Sequence, residues 1–309
     1  MAKTALLFAG QGAQVVGMGR DLAESHSTAK ALFAQADEAL GYGLSGICFF
    51  GPEEELVRTE HAQPAIYLVG WVALQLLREQ APSLAFDATA GLSLGEFTAL
   101  AAADALGFED GLRVVRRRGK VMQHACEAST GGMAAIVGLD EEAVRDVCGQ
   151  AGVSLANLNC PGQIVISGDA DKMEAACDAA KAAGAKRAIP LPVAGAYHSP
   201  LMQPAQAGLA GALAKVELRE PSVPVYSNVT GQAHAAAGTI AATMVDQVTS
   251  PVKWEACIRA MIADGITRFI ELGPGKALSG FMRRIDRDIE MLNVADCESL
   301  AKATESLNA

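Results

Sequence analysis

Strand-like and helix-like segments alternate along most of this chain, and the alternation constrains its fold more than any other feature. Apolar runs typical of buried strands lie at 3–9, 86–91, 223–228 and 267–272, and a run at 291–294 indicates an edge strand. Helices are predicted at 29–40, from Pro64 onward, and at 94–103, 109–125, 239–248, 253–263 and 276–285. Because strands that alternate with helices form parallel sheets covered on both faces, the sequence predicts a large α/β domain.

The pattern changes between Gly131 and Pro192. Strand-like runs at 133–139, 153–158, 163–168 and 186–191 enclose two helix-like segments, at 141–148 and 169–183. The resulting order, βαββαβ, is that of the ferredoxin-like split unit. We therefore expect a small ferredoxin-like subdomain over 129–196, inserted into a large domain formed by 1–128 and 197–309.

The composition excludes several classes of protein. The formal net charge is −10, so no global attraction to nucleic acid or to an anionic membrane is expected. The seven cysteines contain no C-x-x-C pair, which indicates reduced thiols in a cytoplasmic protein and no disulfide framework or metal site. The N-terminal apolar run is too short for a signal peptide, and no stretch is long enough for a transmembrane helix.

The motif G-L-S-L-G at 91–95 is the strongest chemical signal in the sequence. It lies between a predicted strand and a predicted helix, which is the arrangement of a nucleophile elbow. A serine in so tight a turn requires small residues two positions before and after it, and Gly91 and Gly95 meet that requirement. Ser93 is the predicted nucleophile, and the backbone N–H of Leu94 is a predicted oxyanion donor.

A second oxyanion donor is expected in the loop G-Q-G-A-Q at 10–14, where glycines flank Gln11. A dinucleotide-binding interpretation of this loop fails, because the third glycine of that motif is replaced by Val15. The later G-P-G-K at 273–276 fails as a phosphate loop, because Ile270 occupies the position of its first glycine.

The serine needs a base, and the chain has five histidines. His198 directly follows the last predicted strand of the insert, where the chain re-enters the large domain and should line the cleft between the two units. By itself this position leaves a structural role for His198 open. The other four, at 26, 61, 124 and 234, show no such placement.

Five motifs together resemble one family. They are F-A-G-Q-G-A-Q, G-L-S-L-G-E, R-G-K-V-M-Q, G-A-Y-H-S and D-Q-V-T-S-P-V-K-W, in the order found in bacterial malonyl-CoA:acyl carrier protein transacylases. The resemblance spans the chain and implies an α/β-hydrolase-like large domain. It also implies ping-pong transfer of a malonyl group from coenzyme A, through a serine ester, to the thiol of an acyl carrier protein in fatty acid synthesis.

The resemblance also implies roles for individual residues. His198 is the base, held by a backbone carbonyl near Gln247 and not by a carboxylate. The N–H groups of Gln11 and Leu94 form the oxyanion hole, and Arg118 pairs with the malonyl carboxylate. Gln63, Gln247 and Tyr197 are expected to support these groups. No bound cofactor is implied, since the coenzyme A thioester is the substrate, and a monomer is expected.

Arg118 also has a physical argument in its favour. A buried acyl group that ends in a carboxylate needs a fixed cation, and the planar guanidinium can bind both oxygens. The alternative is that the basic run at 113–120 forms one solvated helical face, and this applies best to Arg116 and Arg117.

Two positions depart from the family pattern. Leu92 stands where the family usually has histidine, so the polar surroundings of Ser93 should differ. Tyr197 stands where malonyl-selective members usually have phenylalanine, and its bulk predicts selection against an α-methyl group.

Two other classes of function remain open at this stage. A serine hydrolase would need an acid between Ser93 and His198 in sequence, and the candidates are Asp104, Asp140 and Asp169. A non-catalytic carrier-binding scaffold would have no use for the elbow serine. Within the family, transacylases of polyketide synthesis or malonate decarboxylation share the motifs. An acidic carrier would dock on basic clusters, for which the candidates are Lys186, Arg187, Arg283, Arg284 and Arg287.

Overall fold

The computed structural model describes residues 2–308. Its strands are Thr4–Phe8 (β1), Ala88–Gly91 (β2), Gly131–Val137 (β3), Ser154–Cys160 (β4), Gln163–Asp169 (β5), Arg187–Pro190 (β6), Val225–Tyr226 (β7), Arg268–Leu272 (β8) and Glu290–Val294 (β9). Its helices are Arg20–Ser25 (α1), Ser27–Leu40 (α2), Leu44–Phe50 (α3), Glu53–Leu56 (α4), Thr59–Gln80 (α5), Gly95–Ala102 (α6), Phe108–Ala128 (α7), Glu141–Ala151 (α8), Ala170–Ala182 (α9), Gln203–Leu213 (α10), Ala237–Asp246 (α11), Trp254–Ala263 (α12), Ala277–Ile285 (α13) and Cys297–Asn308 (α14).

The larger sheet is parallel throughout, as the alternation of elements predicted. Its strand order is β7-β2-β1-β8-β9, with β1 at the centre and β9 at one edge. Every residue of β1 is buried, because helices cover both faces of the sheet. The carboxyl ends of β1 and β2 meet at one edge of the sheet, so the loops after Phe8 and Gly91 lie side by side.

The smaller sheet is antiparallel and has the order β4-β5-β3-β6. Helices α8 and α9 pack with it around a separate apolar core that includes Ile136, Val144 and Ile166. This strand order and the βαββαβ connectivity confirm the predicted ferredoxin-like unit. The small sheet is joined to the rest of the chain through Val252, whose backbone N–H and C=O pair with residues of β4. The exact limits of the subdomain, 129–196, stay a prediction.

The predicted start of one helix is wrong. Helix α5 begins at Thr59, so Pro64 lies inside it and not at its first position. The early start is supported from outside the helix, because the N–H of Thr59 donates to the side-chain oxygen of Gln123 on α7. A helix end that is satisfied by a side chain of another helix leaves no local signal. Five helices were not predicted either, at 20–25, 44–50, 53–56, 203–213 and 297–308.

Within residues 2–308, no helix is long and apolar enough to cross a membrane.

Candidate active site

Ser93 occupies a sharp turn between β2 and α6, with a φ of 53°. A left-handed backbone at a non-glycine residue is strained, and such strain concentrates at functional sites. A Cβ on Gly91 would lie 1.9 Å from the carbonyl carbon of Gly95, and a Cβ on Gly95 would lie 2.2 Å from the carbonyl oxygen of Phe8. The turn therefore requires glycine at both flanking positions, which is the requirement inferred from the motif.

His198 lies beside this turn, and its Nε2 is 2.8 Å from the Oγ of Ser93. Its Nδ1 donates to the backbone carbonyls of Gln247, at 2.9 Å, and Ser250, at 3.2 Å. Because carbonyl oxygens only accept, Nδ1 carries the proton and Nε2 is left to accept from the serine hydroxyl. His198 also has a positive φ, of 58°, so the backbone is strained on both sides of this contact.

Burial keeps the imidazole of His198 neutral. Desolvation, with a smaller contribution from the charge of Arg118, lowers the pKa of His198 from 6.5 to about 4. At neutral pH the side chain is therefore available as a proton acceptor.

Among residues 2–308 no carboxylate forms a hydrogen bond with His198, so the acid of a hydrolase triad has no counterpart there. The three aspartates that the sequence offered form other contacts. Asp140 caps α8, Asp169 pairs with Lys172, and Asp104 accepts from Ser222. Two backbone carbonyls take the place of the carboxylate, so the geometry is that of a Ser–His dyad.

Arg118 lies on α7 and is 1% exposed, whereas its neighbours Arg116 and Arg117 are exposed. The basic run is therefore not one solvated face. Its guanidinium donates to the side-chain oxygens of Gln63 and Gln247, both at 2.9 Å, and to the Oγ of Ser93 at 3.2 Å.

The charge of Arg118 is incompletely compensated. Burial lowers its pKa to about 10, so it stays protonated at neutral pH. All three of its hydrogen-bond acceptors are neutral, and its Nε has no partner among residues 2–308. A buried cation with neutral partners stabilises an anion placed against it.

Tyr197 joins the loop of Gln11 to α5. Its hydroxyl lies 2.5 Å from the Oγ1 of Thr59 and accepts a hydrogen bond of 3.2 Å from the side-chain amide of Gln11. The amide of Gln63 contacts the Oε1 of Gln11 at 3.4 Å. Burial raises the pKa of Tyr197 to about 12, so this phenol stays protonated. The supporting residues predicted from the sequence are thus assembled around Gln11 and Arg118.

The two predicted oxyanion donors flank the same turn. Gln11 follows the end of β1 and lines the cavity, and Leu94 directly follows Ser93. Among residues 2–308, neither backbone N–H has a hydrogen-bond acceptor in the protein. Leu94 is fully buried and is not among the residues that line the cavity, so its role as an oxyanion donor stays a prediction.

A cavity of about 400 Å³ connects these groups to solvent. Its polar end holds Ser93, His198 and Arg118, and its walls are mostly apolar. The walls come from both units of the fold, and include Leu92, Met133, Val165, Val193, Leu278 and Phe281. The position of His198 in a cleft between the two units, as the sequence predicted, is therefore observed.

Sequence reasoning missed three polar residues behind the turn. The side-chain oxygen of Asn228 accepts from the N–H of Ser93 at 2.6 Å, and its amide donates to the carbonyl of Gly91. Asn228 ends a predicted strand, and this carboxyl-end position was a usable signal. Glu96 closes the G-L-S-L-G-E motif and is buried with His234. Nothing in the local sequence marked His234.

Comparison with known proteins agrees with this geometry. The sequence model described as the acyl transferase domain matches residues 5–304. The malonyl CoA-acyl carrier protein transacylase of Bacillus subtilis is 45% identical over 312 residues, which cover 99% of this chain and 98% of that protein.

Solved structures show the same two-unit fold. The malonyl CoA-acyl carrier protein transacylase of Clostridium perfringens has a TM-score of 0.95 and 40% identity, covering 99% of this chain and 98% of that chain. A malonyl-transacylase in complex with its type II PKS acyl-carrier protein has a TM-score of 0.95 and 38% identity, covering 99% of this chain and 100% of that chain. With a nucleophile turn, a histidine and a buried arginine in one cavity, and with these matches along its length, the chain belongs to the acyl transferase domain family.

Proposed function

We propose that this chain transfers the malonyl group from malonyl-CoA to the phosphopantetheine thiol of an acyl carrier protein, and so supplies fatty acid chain elongation. One observation carries the proposal above all others. The Oγ of Ser93 lies 2.8 Å from a histidine base and 3.2 Å from the incompletely compensated guanidinium of Arg118. A nucleophile beside such a cation favours an acyl group that ends in a carboxylate. The named relatives are malonyl transacylases.

The first half of the reaction forms a serine ester. The Oγ of Ser93 attacks the thioester carbonyl carbon while its proton passes to the Nε2 of His198. The N–H groups of Gln11 and Leu94 stabilise the oxyanion that develops on the carbonyl oxygen. When the tetrahedral intermediate collapses, the carbon–sulfur bond breaks and the coenzyme A thiolate takes the proton from His198.

The second half reverses these steps with a different thiol. The phosphopantetheine thiol of the carrier gives its proton to His198, and its sulfur attacks the malonyl ester. The ester bond to Ser93 breaks, and the Oγ recovers its proton from the imidazolium. Throughout, Arg118 holds the malonyl carboxylate, while Gln63 and Gln247 hold the guanidinium.

Each step is completed by side chains and backbone of this chain, so we propose that no cofactor is bound and that coenzyme A enters only as part of the substrate. We also propose a cytoplasmic location, where malonyl-CoA and carrier proteins are available and where free thiols persist. The chain has seven cysteines, and none of them forms a disulfide in residues 2–308.

The carrier is proposed to dock on a basic patch formed by Lys186, Arg187, Arg283, Arg284 and Arg287. All five are exposed. The lysine and the arginines belong to one surface. Lys186 lies against Gly138, Arg284 lies against Gly162, and these two glycines are themselves neighbours. Helix α13, which carries Arg283 and Arg284, also lines the cavity through Leu278 and Phe281. An acidic carrier bound at this patch would be close enough for its phosphopantetheine group to enter the cavity.

Intact-protein mass spectrometry tests the proposal directly. The chain is mixed with malonyl-CoA and its mass is compared with that of a Ser93→Ala variant. We expect a malonyl adduct on the unmodified chain only, and its disappearance when a carrier with a free phosphopantetheine thiol is added. A stable chain that gains no adduct would contradict the acyl-enzyme mechanism and favour a scaffold.

A further inference from the structure

We infer that Glu96 and His234 are positioning residues that fix the side-chain amide of Gln247 and, through it, the guanidinium of Arg118. The inference deepens the proposed function and rests on it, because it assigns to this pair the control of selectivity for a carboxylate-bearing acyl group. Neither residue lines the cavity. Both therefore act through other side chains and not on the substrate.

Glu96 is fully buried one turn behind the nucleophile, in the first turn of α6. Three donors converge on its carboxylate. Its Oε2 accepts from the amide of Gln247 at 2.7 Å and from the N–H of Asn228 at 3.0 Å. Its Oε1 accepts from the Nε2 of His234 at 2.8 Å, and the side chains of this pair are 0% and 2% exposed.

Gln247 is the hub between this carboxylate and the reacting groups. Its Nε2 donates to Glu96 and to the carbonyl of Ser93, while its Oε1 accepts from the Nη2 of Arg118 at 2.9 Å. Its backbone carbonyl accepts from the Nδ1 of His198. One residue therefore contacts the nucleophile, the base and the substrate-binding cation.

The chemistry of a carboxylate sets the direction of this chain of hydrogen bonds. An ionised carboxylate can only accept, so the amide nitrogen of Gln247 must face Glu96 and its oxygen must face Arg118. In the opposite orientation an N–H group would face the guanidinium and an oxygen would face the carboxylate, and both contacts would be repulsive. Glu96 thus determines that Gln247 presents its side-chain oxygen, and not its amide nitrogen, to the guanidinium of Arg118.

His234 completes the arrangement from a distant segment. It follows β7, and its backbone N–H donates to the carbonyl of Val225, which fixes the loop at the end of the sheet. The Nε2 of its ring donates to the Oε1 of Glu96, the carboxylate oxygen that receives no hydrogen bond from Gln247 or Asn228. Without that donor the carboxylate could rotate, because its Oε1 would be buried with no other partner.

The positioning role inferred for Glu96 and His234 should affect malonyl transfer more than acetyl transfer. Both transfers use the contact between Arg118 and the Oγ of Ser93, but only malonyl transfer also uses the guanidinium to bind a substrate carboxylate. Substitution of Glu96 should therefore lower malonyl transfer far more than acetyl transfer. A residue needed only for folding would lower both rates together.

The test compares acyl-enzyme formation from malonyl-CoA and from acetyl-CoA by rapid quench and intact-protein mass spectrometry. For Glu96→Gln, which keeps the shape and loses the acceptor-only character, we expect malonyl kcat/KM to fall about 10- to 100-fold, the size of one lost hydrogen bond to a charged group. Acetyl kcat/KM should stay within about 3-fold, which is less than the loss of one neutral hydrogen bond. His234→Ala should shift the ratio in the same direction, and His234→Gln, which keeps a donor, should restore it.

Glu271→Gln is a matched control. Glu271 is also fully buried and accepts three hydrogen bonds, from the N–H groups of Leu278 and Ser279 and from the hydroxyl of Ser279. This variant should lose stability without changing the ratio of malonyl to acetyl rates.

An unchanged ratio in a folded Glu96→Gln variant would overturn the inference. If that variant does not fold, an unchanged ratio in His234→Ala would overturn it instead. In either case a malonyl adduct on the unmodified chain would leave the proposed function intact. Absence of that adduct on the unmodified chain would overturn the proposed function, and the inference would fail with it.

Discussion

The Nη2 of Arg118 donates a hydrogen bond of 3.2 Å to the Oγ of Ser93, so the buried cation contacts the nucleophile's own oxygen. The same oxygen lies 2.8 Å from the Nε2 of His198. The positive charge favours the alkoxide character that develops during attack, and it lowers the pKa of the base. When Ser93 becomes an ester, this guanidinium is next to the acyl group and can bind its carboxylate. In the proposed reaction, recognition of the substrate carboxylate and activation of the nucleophile are therefore linked through one residue.

Replacing Arg118 should lower malonyl transfer more than acetyl transfer, because only the malonyl group loses a carboxylate contact in addition to the contact at Ser93. We expect Arg118→Ala to lower malonyl kcat/KM by about 100- to 1,000-fold, because breaking a buried ion pair costs about 3–5 kcal/mol. Transfer of acetyl groups should persist. Steady-state kinetics with both coenzyme A thioesters measure the effect, and Arg117→Ala, on the exposed side of α7, is the control. Unchanged malonyl kinetics in Arg118→Ala would contradict the assignment of this residue to the substrate carboxylate.

The depressed pKa of His198 predicts an unusual pH profile. The base works only when neutral, and its pKa of about 4 lies below the usual 6.5. Acetyl-enzyme formation should therefore continue at pH 5 and decline only as pH falls through about 4. Because the charge of Arg118 contributes to this shift, the acid limb should move to higher pH in Arg118→Met. Rapid-quench rates with acetyl-CoA, whose acyl group does not titrate, provide the measurement.

The lowered pKa of His198 also affects the free energy of unfolding, so the pH experiment needs a control for the stability of the fold. Unfolded His198 binds a proton below about pH 6.5, whereas the folded residue does so only near 4. The free energy of unfolding that this residue contributes is therefore fully present above pH 6.5 and is lost as pH falls toward 4. Circular dichroism at each pH separates this loss from protonation of the base. A decline of the rate centred near pH 6.5 in the folded protein would contradict the assignment.

Tyr197 predicts selection against a branched acyl group. It is buried in the cavity beside His198, and its hydroxyl is held by Thr59 and Gln11. We expect Tyr197→Ser to raise the rate with methylmalonyl-CoA relative to malonyl-CoA by about 10-fold or more, as room for one methyl group is worth about 1–3 kcal/mol.

Tyr197→Phe serves as the matched control for that substitution. It keeps the bulk of the ring and removes the hydroxyl, so selectivity should stay while the contact to Gln11 is lost. Competition between the two thioesters, resolved by mass spectrometry of the acyl-enzyme, compares the variants. Equal use of both thioesters by the unmodified chain would refute the prediction.

Local patterns predicted those parts of the site that depend on local geometry. The turn at Ser93 needs glycine on both sides, and this requirement is visible as G-L-S-L-G. Arg118 could be singled out only through the family motif, because its burial depends on how α7 packs and its exposed neighbours have the same chemistry. His234 could not be predicted at all. Its partner Glu96 is 138 positions away in sequence, and the loop around it carries no pattern.

The last prediction concerns the proposed docking of the acyl carrier protein on the basic patch. Arg284 donates to the backbone carbonyls of Pro161 and Gly162, so it bridges α13 to the loop between β4 and β5. Arg283, next to it, is exposed and forms no ion pair within residues 2–308, so it remains free to meet an acidic carrier. Rim charges of this kind govern association rate and salt dependence more than chemistry.

We therefore expect the double charge reversal Arg283→Glu with Lys186→Glu to raise the apparent KM for the carrier by about 10-fold or more, through lost steering and added repulsion. Formation of the malonyl-enzyme from malonyl-CoA should be unaffected, because neither side chain lines the cavity. Reversal of Lys302, an exposed lysine on α14 that is paired with Glu298, is the control. Stopped-flow transfer to the carrier at low and high salt measures the effect. An unaltered KM with the same salt dependence would place carrier recognition on another surface.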